Sequence, residues 1–328
     1  MMAPESLTTR ELTRRIIDAA HRLGFQKVGI LPAQALREEE QRLSEWLNNG
    51  YHADMGWMAE HTDKRLHPAL LMEGTKSIVC VAMNYYNPDP PEYQNDPEVL
   101  KIAKYARGTD YHDVIKVRLK GLLTEIQQWV PEAQGRALTD SAPILEKALA
   151  VRAGIGWQGK NANILTRDYG SWLFLGELLL DIDLDYSLSG PPEVDHCGRC
   201  NRCIQACPTD AIREAKVVDA NRCIAYWTIE HKGDEIPEAI AEKISGWMFG
   251  CDICQDVCPW NIRFAQPTQE ELFQSRDWNK TPRAKDFDGL DVETFRERYR
   301  KSPMKRPKLP GILRNVRAAS RAQQRPEP

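Results

Sequence analysis

The chain has 328 residues, 42% of them hydrophobic, and a net charge of −3, enough for one large domain plus a smaller one and inconsistent with wholesale disorder. Its first 25 residues carry Glu5, Arg10, Glu11, Arg14, Arg15 and Asp18, so no apolar run there suits a signal peptide, membrane span or twin-arginine signal. A cytoplasmic protein with no membrane partner is expected. The near-neutral total hides a basic end: from Arg296 to Pro328, eleven Lys and Arg stand against Glu297 and Glu327. Such a stretch suits either a solvated tail or a surface that neutralises phosphates.

In chain order, residues 6–23 place Leu7, Leu12, Ile16, Ala19, Ala20 and Leu23 on one helical stripe, with Gly24 as its C-terminal cap. A strand is expected over 25–31, a helix over 32–49 ending at Gly50, and a strand over 77–83 in which Cys80 is a buried core residue. Four prolines over 87–97 mark a surface loop. Helical periodicity over 112–130, a short strand at 137–140, a helix over 143–153 and a strand over 171–180 complete an alternation that indicates an α/β or α+β domain. Pro191-Pro192 marks a boundary, a cysteine-rich module follows, and a helical, increasingly basic segment closes the chain. No internal repeat is visible.

Eight of the nine cysteines lie within 62 residues, at spacings suited to metal rather than disulfides. Cys197-x2-Cys200-x2-Cys203-x3-Cys207-Pro208 is the bacterial ferredoxin run, in which three thiolates hold one [4Fe–4S] cluster and the fourth reaches the other. Zinc prefers two separated pairs. Cys251-x2-Cys254-x3-Cys258-Pro259 repeats the last three positions, but Met248 stands where the first cysteine belongs. Cys223 is the thiolate left to replace it. The usual crossover then assigns Cys197, Cys200, Cys203 and Cys258 to one cluster and Cys207, Cys223, Cys251 and Cys254 to the other. A radical-type Cys-x3-Cys-x2-Cys run is absent, because Asp210 and Asn261 occupy the required third positions. Two fully ligated clusters act as a wire, so the chemistry belongs elsewhere.

Gly154-Ile-Gly156-Trp-Gln-Gly159-Lys160-Asn161 satisfies G-x-G-x-x-G and most of a P-loop pattern. It follows an expected helix rather than a strand, and Asn161 replaces the magnesium-binding Ser or Thr, so nucleotide binding is disfavoured. A helix cap at Gly154 with a tight turn, or a loop cradling another cofactor, remain open. Asp110-x-His112 begins like the histidine element that ligates cobalt in some cobalamin proteins, but Ile115 replaces its glycine. His112 then reads as a surface or interface residue, and Asp140, ending a short strand, as a candidate helix N-cap.

Taken together, Asp110-Tyr111-His112, Thr139-Asp140-Ser141-Ala142-Pro143, the Arg152–Asn161 stretch and the cysteine pattern with its displaced Cys223 resemble the epoxyqueuosine reductases, over about residues 7–318. The resemblance implies an α+β fold: a nitroreductase- and reductive-dehalogenase-like cobalamin-binding catalytic domain (1–188), a ferredoxin-like module with two [4Fe–4S] clusters (189–265) and a basic helical segment (266–328). It implies reduction of epoxyqueuosine to queuosine at the tRNA wobble position, with Asp140 as proton donor and cobalamin contact. Further cobalamin contacts are implied at Arg65, Gly159, Lys160, Asn161, Ile164 and Leu175. For Asp140 to donate, its pKa must be raised from the ordinary value of about 3.9. Lys305, Arg306, Lys308 and Arg314 become expected contacts to an anticodon stem-loop. A low-potential electron donor and a monomeric chain are also expected. Some members of the family continue into helical repeats beyond this length. The competing expectations are a cobalamin-dependent reductive dehalogenase, against which the basic segment argues, and a non-catalytic ferredoxin-type carrier.

Overall fold

A computed structural model describes residues 7–323. The outer ends of the first and last expected segments, including Glu5, Arg325 and Glu327, lie outside the described residues. Helix α1 (Thr9–Arg22) starts where Thr8 and Glu11 form a reciprocal capping box, and ends before Gly24, whose φ of +90° lets Phe25 bond back to Ala20. The stripe read from the sequence is the buried one: Leu12, Ile16, Ala19 and Ala20.

Four strands, β1 (Lys27–Pro32), β2 (Ser77–Asn84), β3 (Gly135–Leu138) and β4 (Leu173–Leu180), form an antiparallel sheet in the order β1-β2-β4-β3. Helices α2 (Arg37–Asn48), α3 (Tyr111–Trp129), α4 (Glu146–Arg152) and α5 (Lys308–Gln323) follow in chain order. Every residue of β2 is buried, because the sheet is covered on both faces. The period-2 alternation sends Val79, Val81 and Met83 to a core with α1 and α3. It sends Ile78, Cys80 and Ala82 to a second core with Leu36, Leu71, Leu149, Ala150 and Ile164. The expected elements are all present with ends moved by a few residues, and the mixed α+β class is as expected.

Three expectations of organisation change. Residues 87–97 are more than a surface loop: Asn87 and Tyr93 are buried, and the Tyr93 hydroxyl accepts the Ile102 amide at 3.1 Å. The basic segment is no appendage. Ile312, Val316 and Ala319 of α5 share a core with Ile224, Trp247, Met248 and Phe249 from the cysteine module and with Leu100, Ile102 and Ala106 from the first domain. Lys101–Ile102 also pairs in parallel with Trp247–Phe249, so the boundaries at 189 and 266 do not separate independent cores. Met248 is fully buried and its carbonyl accepts from Asn315 at 3.0 Å, which explains an apolar residue in the cysteine pattern: the position is structural.

Candidate active site and cluster cavity

The loop after β3 turns at Asp140, which adopts a left-handed φ of +52°, a conformation Asp tolerates better than most residues. Asp140 is not an N-cap; α4 starts after Leu145 without a side-chain cap. Its backbone N–H donates instead to Glu146 Oε1 at 2.7 Å, and its carboxylate reaches the start of α3. Tyr111 Oη donates to Asp140 Oδ2 at 2.8 Å, and His112 Nε2 lies 3.1 Å from the same oxygen. His112 Nδ1 is 2.7 Å from Asp110 Oδ1, while Asp110 caps α3 by accepting from the His112 amide. The ring is thus hydrogen-bonded to a carboxylate at both nitrogens.

Carboxylates only accept, so both ring nitrogens must donate, and His112 is an imidazolium. Burial opposes its charge, but the bonds to Asp110 and Asp140 outweigh that and raise it to about 9. Asp140 goes the other way. Desolvation pushes its carboxyl up, while the bonds from His112 and Tyr111 and the nearby cationic charges bring it below its ordinary value. With its side chain 58% exposed, the hydrogen bonds prevail over burial. Asp140 is thus held below its ordinary value here rather than raised, and the group pushed toward its charged form is His112. The expectation that His112 is a mere surface residue is corrected with it. Tyr111 is held by stacking on Phe174 at 4.3 Å and on His112 at 4.1 Å.

Two of the four expected basic contacts border this group. Lys305 Nζ lies 3.7 Å from Asp110 Oδ2, and Arg306 makes a two-pronged pair with Glu230 (3.0 and 2.8 Å) while its charge reaches Asp140. Lys308 is exposed at the start of α5. Arg314 is different. It is buried and donates to the carbonyls of Trp227, His231 and Gly233 (2.9, 3.0 and 2.6 Å) and to Asn315 Oδ1. Its guanidinium is spent on structure, so it is not a phosphate contact.

The glycine stretch is a helix cap plus a hairpin. Gly154 ends α4 at φ +72°, Trp157–Gln158 pairs with Ile164–Leu165, and no helix opens after Gly159. That geometry has no place for a dinucleotide or a P-loop phosphate. A Cβ on Gly159 would meet Leu165 Cδ1 at 2.5 Å, so a larger residue there would require the buried Leu165 side chain to shift. Lys160 and Asn161, expected at cobalamin, face the cysteines: Lys160 Nζ donates to the carbonyls of Gly198 (2.8 Å) and Cys200 (2.9 Å), and Asn161 Nδ2 to that of Cys254 (3.3 Å). Their side chains anchor the cluster loops. Ile164 and Leu175 lie on the sheet face away from α1. Arg65 is buried, stacks 5.7 Å over Trp57, and keeps Nε without a partner.

Cys197, Cys200, Cys203 and Cys258 line one cavity of about 180 Å³ together with Lys160, Asn161, His196 and Trp260. Among the described residues no three Cys, His, Asp or Glu side chains converge as a single ion would need; these four thiols surround a volume. Cys258 stands at the N-terminus of the helix Pro259–Phe264, where proline at the first position costs no hydrogen bond. Cys223 is displaced in sequence but lies within electrostatic reach of Cys207, Cys251 and Cys254. Burial pushes the thiols of Cys223, Cys251 and Cys254 up, the opposite of what a free nucleophilic cysteine needs, and bound iron would reverse it.

Comparison with known proteins places these sites in a family. The family profile "Epoxyqueuosine reductase QueG, DUF1730" matches residues 65–141, and "4Fe-4S double cluster binding domain" matches 196–261. Epoxyqueuosine reductases from Cellulophaga algicola and from Synechocystis are each 45% identical, over 94% and 89% of this chain and 99% of each relative. A crystal structure of an epoxyqueuosine reductase with an epoxyqueuosine-modified tRNA-Tyr stem loop superposes with a TM-score of 0.88 at 27% identity, covering 96% of this chain and 82% of that one. The Bacillus subtilis enzyme, at TM-score 0.88, 27% identity, 96% and 82%, was captured with its aspartate-bearing catalytic loop swung out of the active site. The sequence kinship, which runs nearly end to end, and the shared fold have one meaning: this chain belongs to the epoxyqueuosine reductase family of oxidoreductases.

Proposed function

We propose that the chain reduces epoxyqueuosine to queuosine at the wobble position of tRNA, drawing electrons from two [4Fe–4S] clusters and a cobalamin. The observation that carries this reading is the Asp140 carboxylate, fixed in a left-handed turn against the His112 imidazolium and the Tyr111 hydroxyl. Converting an epoxide to an alkene consumes two electrons and two protons and releases water. The departing oxygen needs a proton in the transition state. His112 stores that proton near neutral pH, and Asp140, more exposed than His112, is the group that presents it to substrate.

Cys197, Cys200, Cys203 and Cys258 would hold one cluster, supported by the cavity they share; Cys207, Cys223, Cys251 and Cys254 would hold the second. The residues that would hold cobalamin include Arg65, whose buried Nε lacks a partner and offers a donor, and Leu175, whose partly buried side chain offers apolar surface. When bound, it would supply low-potential cobalt for the carbon–oxygen cleavage. Lys305, Arg306 and Lys308 border the Asp140 side and suit a stem-loop backbone. A tRNA substrate and a low-potential protein donor put the reaction in the cytoplasm, and no described helix is long and apolar enough to cross a membrane.

The test is anaerobic incubation of cluster-loaded protein with cobalamin, a low-potential reductant and epoxyqueuosine-containing tRNA. Mass spectrometry should show loss of one oxygen from the modified nucleoside. Loaded protein that binds cobalamin but leaves the nucleoside unchanged would overturn the reading. Failure to bind cobalamin at all would favour a plain electron carrier.

A further inference from the structure

Behind the Asp140 loop sits a buried acid that the proposed chemistry does not use. Glu177 lies in the middle of β4, opposite Cys80 on β2 and Leu138 on β3, on the face that leads to α4. It is 0% exposed, and neither carboxyl oxygen meets an N–H or O–H donor. Its polar neighbour is the carboxyl of Glu146, at the first position of α4. Glu146 in turn accepts the Asp140 backbone N–H.

Two ionised carboxylates have no hydrogen to share, and leaving an ionised carboxylate buried without donors is costly. One proton between them resolves both problems, as in other carboxyl pairs. We propose that Glu146 and Glu177 share a single proton as a buried acid–carboxylate pair, and that this pair latches the Asp140 loop in place through the Asp140 amide. The proposal rests on the reading of Asp140 as the active-site acid.

Glu177, locked in the strand and away from solvent, carries the proton; Glu146 keeps the negative charge that strengthens the bond from the amide. Burial raises both carboxyls first; the charges of Glu146 and Asp140 raise Glu177 further, while the Asp140 charge raises Glu146 against the lowering bonds from the Asp140 amide and from Glu177. The other groups facing the pair are the Cys80 thiol on β2, His112 and Tyr111 on α3, and Asp140 itself. Lys147, the next residue on α4, donates to the Ala162 carbonyl and Asn163 Oδ1, and its charge reaches Glu146 without bonding it. Loss of the shared proton to solvent at alkaline pH places two carboxylates in contact. Their repulsion displaces Glu146, removes the acceptor from the Asp140 amide and releases the loop. Glu146 and Glu177 are thus positioning residues.

The experiment is infrared difference spectroscopy of the cluster-loaded protein across a pH titration, together with hydrogen exchange at the Asp140 amide. Wild type should show a protonated carboxyl band at neutral pH that is absent from Glu177→Gln, and absent also from Glu146→Gln, where Glu177 ionises against the new amide. As the band titrates away, exchange at Asp140 should accelerate in wild type relative to Glu177→Gln by roughly tenfold, the worth of one charge-assisted hydrogen bond. Glu177→Gln supplies its own N–H to Glu146 and should hold the loop at every pH. A wild-type spectrum without the band, a band that survives both substitutions, or exchange indifferent to its titration would overturn the proposal. None of these readouts needs turnover. Inactive protein that still shows the band and the exchange step would instead count against the Asp140 chemistry.

Discussion

Replacing His112 with glutamine tests the charge arrangement of the site most directly. The change removes a cation whose two ring nitrogens are bonded to Asp110 and Asp140 at 2.7 and 3.1 Å. A rise from 6.5 to about 9 corresponds to about 3 kcal/mol at most, at about 1.4 kcal/mol per tenfold change. Solvent around Asp140 screens its half of the interaction, which leaves about 1–2 kcal/mol. The sign follows from linkage. His112 has a folded pKa above its unfolded one, so its contribution is fully present below pH 6.5 and is lost as pH rises through about 9. The Asp140 carboxyl is lowered, so its share is present above its ordinary value of 3.8 and lost on acidification below it. The gap between wild type and His112→Gln should therefore be widest between these limits and close towards alkaline pH. Urea unfolding of anaerobic, cluster-loaded protein followed by tryptophan fluorescence measures it. A gap that stays constant from about pH 6 to about pH 10, or a His112 imidazole titrating near its ordinary value by NMR, would refute the imidazolium and with it the proton store.

Asp140→Asn should lose turnover by about 10²-fold or more while cobalamin binding and both clusters are retained, because it removes the acceptor of the His112 proton without changing the loop's shape; normal turnover would end its catalytic role. Cys223→Ser should lower iron in anaerobically reconstituted protein by about half and leave the signal of the Cys197–Cys258 set intact. Arg314→Met should cost about 3 kcal/mol of stability by orphaning the carbonyls of Trp227, His231 and Gly233. Its tRNA affinity, measured well below its melting point, should match wild type. Lys308→Ala should leave stability unchanged and weaken tRNA binding, with a shallower dependence on salt by about one unit of slope.

The contrast between Arg314 and the cysteines shows what sequence reading can reach. Ligand spacing in a cluster run is local: Cys197, Cys200 and Cys203 must reach three corners of one cluster within a few residues, so the pattern carries its own meaning. The irregular Cys223 could be nominated by elimination, and the fold brings it within electrostatic reach of Cys207, Cys251 and Cys254. The sheet and its helices were legible for a similar reason, since a period of two in β2 and a stripe in α1 each report a face that must be buried. The role of a charged residue is set by acceptors that arrive from elsewhere. Arg314 looked like part of a basic surface because its three carbonyl partners lie more than eighty residues away in sequence. The partners of Lys160 were illegible likewise, since its acceptors belong to the cysteine loop.

His112 and Glu177 carry the same lesson into the chemistry. The triplet Asp110-Tyr111-His112 was visible as a motif, but its function depends on Asp140 approaching from 28 residues away to bond the second ring nitrogen. Nothing in the local pattern around Glu177 distinguishes it from a solvent-facing strand residue; only the register against Cys80 and Leu138 turns it inward. Asp140 and Glu177 are therefore kept in opposite states by their surroundings. Asp140 is ionised because donors reach it from α3, and Glu177 is protonated because none reach it inside the sheet. An enzyme that must deliver a proton to a departing oxygen and still hold the delivering loop needs both conditions, joined here through Glu146, which accepts the Asp140 amide. Replacing His112 with an apolar residue would leave the proton without its store, while Glu177→Gln, which supplies its own N–H to Glu146, would hold the loop without one.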